Sequence, residues 1–285
     1  MVMGKKTLTV GEMILHWLPG GDFLVDGGTL FATVPKAVWQ SLQPIVADNT
    51  VRLANDPLLI ESPDGLVLVD TGLGEHCPDG YDCTAPWALL QELEVLGVGR
   101  EDINHVVITH GDFDHAGGLT LSTVDGGRQL TFPGAVHHLQ QTEWDEIRAP
   151  HRRSAGAYDP GSLPLLSAGK LHLADGDEVI CPGITLHLSG GHTRGHQVVE
   201  IRSGGHLALH LGDLMPTHNH VDPLWHLAYD NYPLTVIDKK TEYLERYGQE
   251  DPWFLFYHDP LVRACRLDRR GAVKETWPDS WAKGA

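Results

Sequence analysis

Short apolar runs broken by turn residues set the pattern of the first seventy residues. Met13-Ile-Leu-His-Trp17 and Phe23-Leu-Val25 flank Pro19-Gly-Gly-Asp22, and two such runs around a Gly-rich turn predict a hairpin. Leu58-Leu-Ile60 and Leu66-Val-Leu-Val69 flank Ser62-Pro-Asp-Gly65, whose Asp-Gly pair predicts a second one. Between them the stretch from Phe31 to Pro44, with Pro35 and Trp39, reads as irregular chain covering one face. The period then changes. Trp87, Leu89, Leu90, Leu93 and Leu96 recur at helical spacing, and Gly97 and Gly99 stop the helix. His105-Val-Val-Ile-Thr109 predicts a buried strand, Ala135-Val136 a short one and Leu139 to Ile147 a helix. Residues 155–169, rich in Gly, Pro and Ser, read as a loop. Ile184 to Leu188, Gln197 to Ile201 and Leu207 to Leu211 follow as strands, the last two joined at Ser203-Gly-Gly205. A helix over Thr235 to Tyr247 and a strand over Trp253 to Phe256 complete the series.

Strands come in groups followed by helix–strand pairs in each half, and no linker, repeat or charge block divides the chain. The expectation is an α/β protein with a sheet sandwich inside and helices outside, in a single domain over 1–285. The formal charge of −17 argues against nucleic acid and anionic membrane as partners, because both demand basic patches. The first residues lack the apolar core of a signal peptide, and no run is long enough to span a bilayer, so a cytoplasmic protein is expected. None of the four cysteines has CxxC spacing; Cys77 and Cys83 share a loop, where an oxidising compartment would allow a disulfide and a cytosolic one leads to the expectation of two free thiols.

The chemistry collects at strand ends. His110-Gly-Asp-Phe-Asp-His115 packs two imidazoles and two carboxylates into six residues directly after an apolar strand. Crowded ionisable groups repel one another or lose solvation unless something neutralises them, and a divalent cation does so. A solvated polar loop is the bland alternative. Four more segments share the layout of apolar run then His or Asp: Leu68-Val-Asp-Thr-Gly72, Ser189-Gly-Gly-His-Thr-Arg-Gly195, Leu211-Gly-Asp213 and Phe256-Tyr-His258. Taken singly, Asp70 could be a turn residue, Asp213 a cap and His258 a core histidine. Trp17, Phe31, Trp39, Trp225, Tyr229 and Tyr232 supply aromatics for a pocket wall, although core packing accounts for most of them equally well. His137, His138, His218, His220 and His226 are candidates for the mouth, with solvated loop as the plainer account.

In order and spacing these five segments resemble the metallo-β-lactamase-fold hydrolases, and the N-terminal Val34-Pro-Lys36 and Trp39 with Tyr257-His-Asp-Pro260 look like the lactonase and organophosphate-hydrolase branch. The resemblance implies an αββα four-layer sandwich and two divalent metal ions, Zn foremost, with Fe or Mn admitted by Asp112. It implies that His110 and His192 hold the first ion and Asp114, His115 and His258 the second, with Asp213 bridging and Asp70 orienting a ligand from behind. Asp112 is the departure: the family usually has His there, so the motif is HxDxDH. Asp112 then ligates through oxygen, or leaves the first ion weak, or acts as a base beside a single ion. Asp114 and Asp213 are the expected catalytic carboxylates. The lactonases carry a tyrosine just after the bridging Asp, where this chain has Leu214-Met-Pro216, so Tyr229 is the substitute in reach. The implied activity is hydrolysis of a small-molecule ester, lactone or phosphoester, with a di-iron redox protein or a catalytically silent metal-binding sensor as rivals and a homodimer among the possible assemblies.

Overall fold

In the computed structural model, which describes residues 7–77 and 79–278, Met13, Leu15 and Trp17 alternate onto one buried face of the strand Met13–Trp17. That strand belongs to a seven-stranded sheet. It runs antiparallel from Thr7–Val10 through Met13–Trp17 and Leu58–Ser62 to Gly65–Val69, then parallel through Ile103–Val107, Val136–Gln140 and Lys170–Ala174. A second seven-stranded sheet follows the order Glu178–Cys181, Ile184–Leu188, Gln197–Ser203, His206–His210, Trp253–Leu255, Ala264–Leu267, Val273–Trp277. Its pairs are antiparallel except His206–His210 with Trp253–Leu255.

The inner faces of the two sheets share one core: Leu15, Ile60, Val69 and Val107 pack with Leu186, Val199, Ile201 and Leu255. Each such side chain contributes about 1.5–3 kcal/mol by leaving water. On the outer face of the first sheet, Leu68, Val106 and Leu139 meet Leu93, Trp144 and Leu166 of the helices Leu89–Val95, Gln141–Arg148 and Leu163–Ala168. On the outer face of the second, Val198, Leu209 and Phe254 meet Val236, Tyr243 and Tyr247 of the helix Pro233–Tyr247. The layers therefore run helix, sheet, sheet, helix, as the αββα expectation required.

Three local expectations are corrected. The first hairpin does not form. Leu18 N donates to Pro57 O and Gly20 N to Asn55 O, both at 2.8 Å, so the chain continues past Trp17 instead of turning back. Gly20–Asp26 then joins a separate four-stranded sheet ordered Ile45–Ala47, Thr50–Ala54, Gly20–Asp26, Asp82–Trp87. A Cβ on Gly20 would sit 2.5 Å from Pro57 Cδ, so this bend between sheets requires glycine. The supposed loop 155–169 carries the helix Leu163–Ala168. Cys77 and Cys83 are a disulfide, not two thiols: their loop folds back until the Cα atoms lie 6.1 Å apart, within bridging range. Among the described residues no helix is long and apolar enough to cross a membrane.

Candidate metal centre

Gly65–Val69 and Ile103–Val107 run parallel and in adjacent register, so the residues after them, Asp70 and Thr109-His110, emerge together at one sheet edge. Asp70 turns the chain in the left-handed region at φ 60°, which costs a non-glycine residue energy. Its carboxylate offsets that cost with three contacts: it accepts from Thr109 N at 2.7 Å and Thr109 Oγ1 at 2.8 Å, and binds His115 Nδ1 at 2.8 Å. Asp112 opens the helical turn Phe113–Ala116, which carries Asp114 and His115. The other sheet delivers His192 from the loop after Ile184–Leu188, Asp213 from the short 3-10 turn Gly212–Leu214, and His258 beyond Trp253–Leu255.

Hydrogen bonding fixes the tautomers. His115 Nδ1 faces the Asp70 carboxylate, His192 Nδ1 faces Asp230 Oδ1 at 2.8 Å and His258 Nδ1 faces the Ala54 carbonyl at 2.7 Å. Those oxygens only accept, so each Nδ1 carries a proton, and Nε2 is the nitrogen left to face a cation once it gives up its own. The Nε2 atoms converge. His115 and His258 Nε2 are 3.0 Å apart, and Asp213 Oδ1 lies 3.3 and 3.0 Å from them. His192 Nε2 lies 3.4 Å from Asp213 Oδ2 and 3.3 Å from Asp112 Oδ2. Asp114 Oδ2 is 3.7 Å from His258 Nε2.

Protons alone do not resolve this crowding. Burial opposes charging of His115 and His192, yet Asp213 with Asp70 and Asp114 outweighs it for the first, and Asp213 with Asp112 and Asp230 for the second; both rings are held well above their ordinary value. Burial likewise opposes ionisation of Asp213, but His258, His115 and His192 hold its carboxyl well below the usual range. Burial raises Asp114. Burial, reinforced by His115 and His192, pushes His110 well down and keeps it neutral. Its Nε2 is then a buried lone pair with no hydrogen-bond partner, and Asp112 Oδ1 and Asp213 Oδ1 are orphaned with it. A divalent cation is the species that satisfies an orphaned imidazole nitrogen and carboxylate oxygens together. Three overlapping sets have their donor atoms within 4.8 Å of one another: His110/His115/Asp213, His110/Asp112/His192 and Asp114/His115/His258. All seven residues singled out in the sequence as metal-binding candidates thus meet here, with Asp70 behind His115.

Asp230 escaped the sequence reading, where Tyr257 stood only as part of the Tyr257-His-Asp-Pro260 resemblance. Asp230 accepts from Leu227 N at 2.8 Å as well as holding His192. Tyr257 donates to Asp114 O at 2.6 Å and stacks on His115 with ring centroids 4.1 Å apart. His196 Nε2 accepts from Asp213 N at 3.1 Å while its Nδ1 pairs with Ser189 Oγ. The only signal for Asp230 is chemical: a metal-facing histidine needs an acceptor at its far nitrogen. Asp230→Ala is expected to weaken divalent-cation binding by about 10–100-fold. Competition against a chromophoric chelator measures this, and an unchanged affinity would remove Asp230 from the account.

A cavity of about 450 Å³ opens onto Asp112, Asp114 and Asp213 and is walled by Phe23, Tyr81, Phe113 and Tyr229. Of the aromatics nominated in the sequence, Tyr229 alone lines it. Burial, with Asp213 and Asp114 nearby, holds the Tyr229 phenol well above its ordinary value, so it stays protonated. Trp17, Phe31 and Trp39 are core residues. His137, His138 and His220 are buried away from the mouth; His220 stacks on Phe31 and pairs with Leu30 O. A larger groove of about 650 Å³ beside Leu244 and Arg270 holds none of the clustered groups, so volume does not mark the site.

Residues 52–249 match the model of the Metallo-beta-lactamase superfamily. A probable metallo-hydrolase of Mycobacterium tuberculosis is 30% identical over 245 residues, covering 71% of this chain and 74% of that protein. An N-acyl homoserine lactonase of Bacillus thuringiensis is 26% identical over 274 residues, covering 89% and 96%. The crystal structure of a probable metal-dependent hydrolase from Staphylococcus aureus superposes with a TM-score of 0.86 at 32% identity, over 94% of this chain and 98% of that one. AidC, a dizinc quorum-quenching lactonase, superposes at 0.78 with 21% identity over 96% and 97%, a likeness of fold. Because the family match spans more than half of its length, this chain belongs to the metallo-β-lactamase superfamily.

Proposed function

We propose that this chain is a metal-dependent hydrolase that holds two divalent cations and cleaves a small-molecule ester, lactone or phosphoester. One observation carries the reading. The two oxygens of Asp213 are divided, Oδ1 toward His115 and His258 and Oδ2 toward His192, which is the placement a carboxylate needs to bridge two ions. His110, Asp112 and His192 would hold the first cation and Asp114, His115 and His258 the second. Zinc suits the imidazole nitrogens, and the three carboxylates also accommodate Fe or Mn. Bound there, the cations would supply an activated water and polarise the electrophile.

The chain's own groups supply the rest. Asp213, as the bridging carboxylate, would orient the attacking water, and Asp114 could pass a proton on to the leaving group. The protonated Tyr229 phenol, on the cavity wall, can donate a hydrogen bond to the substrate's carbonyl or leaving oxygen. Phe23 and Phe113, 6.0 Å apart, take the apolar part of the substrate and exclude bulk water. Lactones enter the proposal through the similar proteins that carry that name. The test is a panel of one lactone, one aryl ester and one phosphotriester, run before and after chelator treatment. Turnover of at least one class, lost with chelator and restored by Zn or Mn, is expected. A metal-loaded protein silent on all three would instead favour a binding role, and oxygen consumption by an iron-loaded protein a redox one.

A further inference from the structure

The helix Gln141–Arg148 touches the backbone of two site loops at once. A Cβ on Gly111 would lie 2.6 Å from Ile147 Cδ1, and one on Gly195 would lie 2.2 Å from Glu143 N. One loop comes from the first sheet and carries His110 and Asp112 on either side of Gly111; the other comes from the second sheet and carries His192 next to Thr193. Glu143 spans them. Its Oε1 accepts from Gly111 N at 2.7 Å, and its Oε2 accepts from Thr193 Oγ1 at 2.7 Å and Gly195 N at 3.1 Å. The side chain is 1% exposed. Glu143 stands three residues after the N-cap Gln140, a position from which a glutamate ordinarily reaches back to its own helix start. These three bonds instead go to the two loops. Burying a carboxylate is tolerated when donors of this kind satisfy it, and such charge-assisted bonds are directional.

We infer that Glu143 is a positioning residue that cross-links the two sheets and sets the spacing of His110 and Asp112 against His192, and so the affinity of that one cation subsite. This rests on the two-cation reading above. The neighbouring set Asp114, His115 and His258 is braced separately, by Asp70, Tyr257 and the Ala54 carbonyl. Glu143→Gln turns one acceptor into an NH₂ that faces either Gly111 N or the Gly195 N and Thr193 pair, so one arm of the link is lost. Thr193→Val removes a single bond and keeps the shape.

The experiment is Zn titration of chelator-stripped protein against a chromophoric chelator, with circular dichroism as the check on folding. It belongs near pH 8, because burial, against the pull of Thr193 and Gly111, lifts the Glu143 carboxyl to about 7. In Glu143→Gln one of two Zn sites is expected to weaken by about 10–100-fold while the other holds within about threefold. Thr193→Val shows a smaller loss at the same site, and carries the test if Glu143→Gln does not fold. Added to His110→Ala, Glu143→Gln has no further effect on the remaining site. Two sites of wild-type affinity in Glu143→Gln, or equal weakening of both, would overturn the inference. A wild-type chain that binds no Zn overturns the two-cation reading itself, and this inference with it.

Discussion

Asp213→Ala is expected to abolish stoichiometric binding of both cations and to lower kcat/KM by roughly 10³-fold or more, about 4 kcal/mol of transition-state stabilisation. The reason is position. Asp213 is the residue within 3.4 Å of His115, His192 and His258 together, and its two oxygens serve different imidazoles. With alanine there, the remaining donors split into two incomplete sets that no shared anion joins. The fold should survive. Asp213 N keeps its bond to His196 Nε2, and the lost carboxylate is a buried charge whose removal leaves neutral imidazoles rather than an unpaired ion. Metal content and steady-state kinetics on a protein of unchanged circular dichroism measure the effect. Full metal occupancy in Asp213→Ala would break the bridging assignment.

Asp112→His is expected to keep the protein metal-loaded and change what it loads. Three carboxylates, Asp112, Asp114 and Asp213, face the proposed cations; exchanging one for a neutral imidazole removes a negative charge and replaces an oxygen donor with nitrogen. Nitrogen favours Zn over Mn, so their competition ratio should move toward Zn by about tenfold. The more positive centre should also move the acid limb of the pH–rate profile down by about one unit. Asp112 is placed for this effect. Its Oδ2 lies 3.3 Å from His192 Nε2 and 3.7 Å from His110 Nε2, while its Oδ1 is buried without a hydrogen-bond partner. Unchanged metal ratios together with an unchanged profile would remove Asp112 from the donor set.

The site was legible where its chemistry is local. Each of Asp70, His110, His192, Asp213 and His258 follows an apolar run, and a strand that ends at a shared edge carries its next residues to the same place. What stayed hidden is long-range. Asp230, Glu143 and the Ala54 carbonyl reach their partners across 38, 32 and 204 residues. Nothing in the spacing of the chain announces such pairs. The same distinction runs through the fold. Asp64-Gly65 made its hairpin visible because the turn chemistry and both strands are contiguous. Pro19-Gly-Gly21 carries equally strong turn residues, but Pro57 and Asn55 decide that it bends between two sheets. Lys170–Ala174, a five-residue edge strand exposed at Lys170 and half-buried from Leu171 to Leu173, is a short run directly after the Gly- and Pro-rich stretch 155–169, and it went unread. The Cys77–Cys83 pairing was ranked behind two free thiols because the expected compartment was weighed ahead of the closeness of the two residues in one loop.

Elemental analysis of protein expressed in unsupplemented medium and purified without chelator or added metal tests the central claim most directly. The account predicts close to two equivalents of Zn, Fe and Mn together per chain. Less than a few tenths of an equivalent, in a protein that also takes up none on addition, would contradict it.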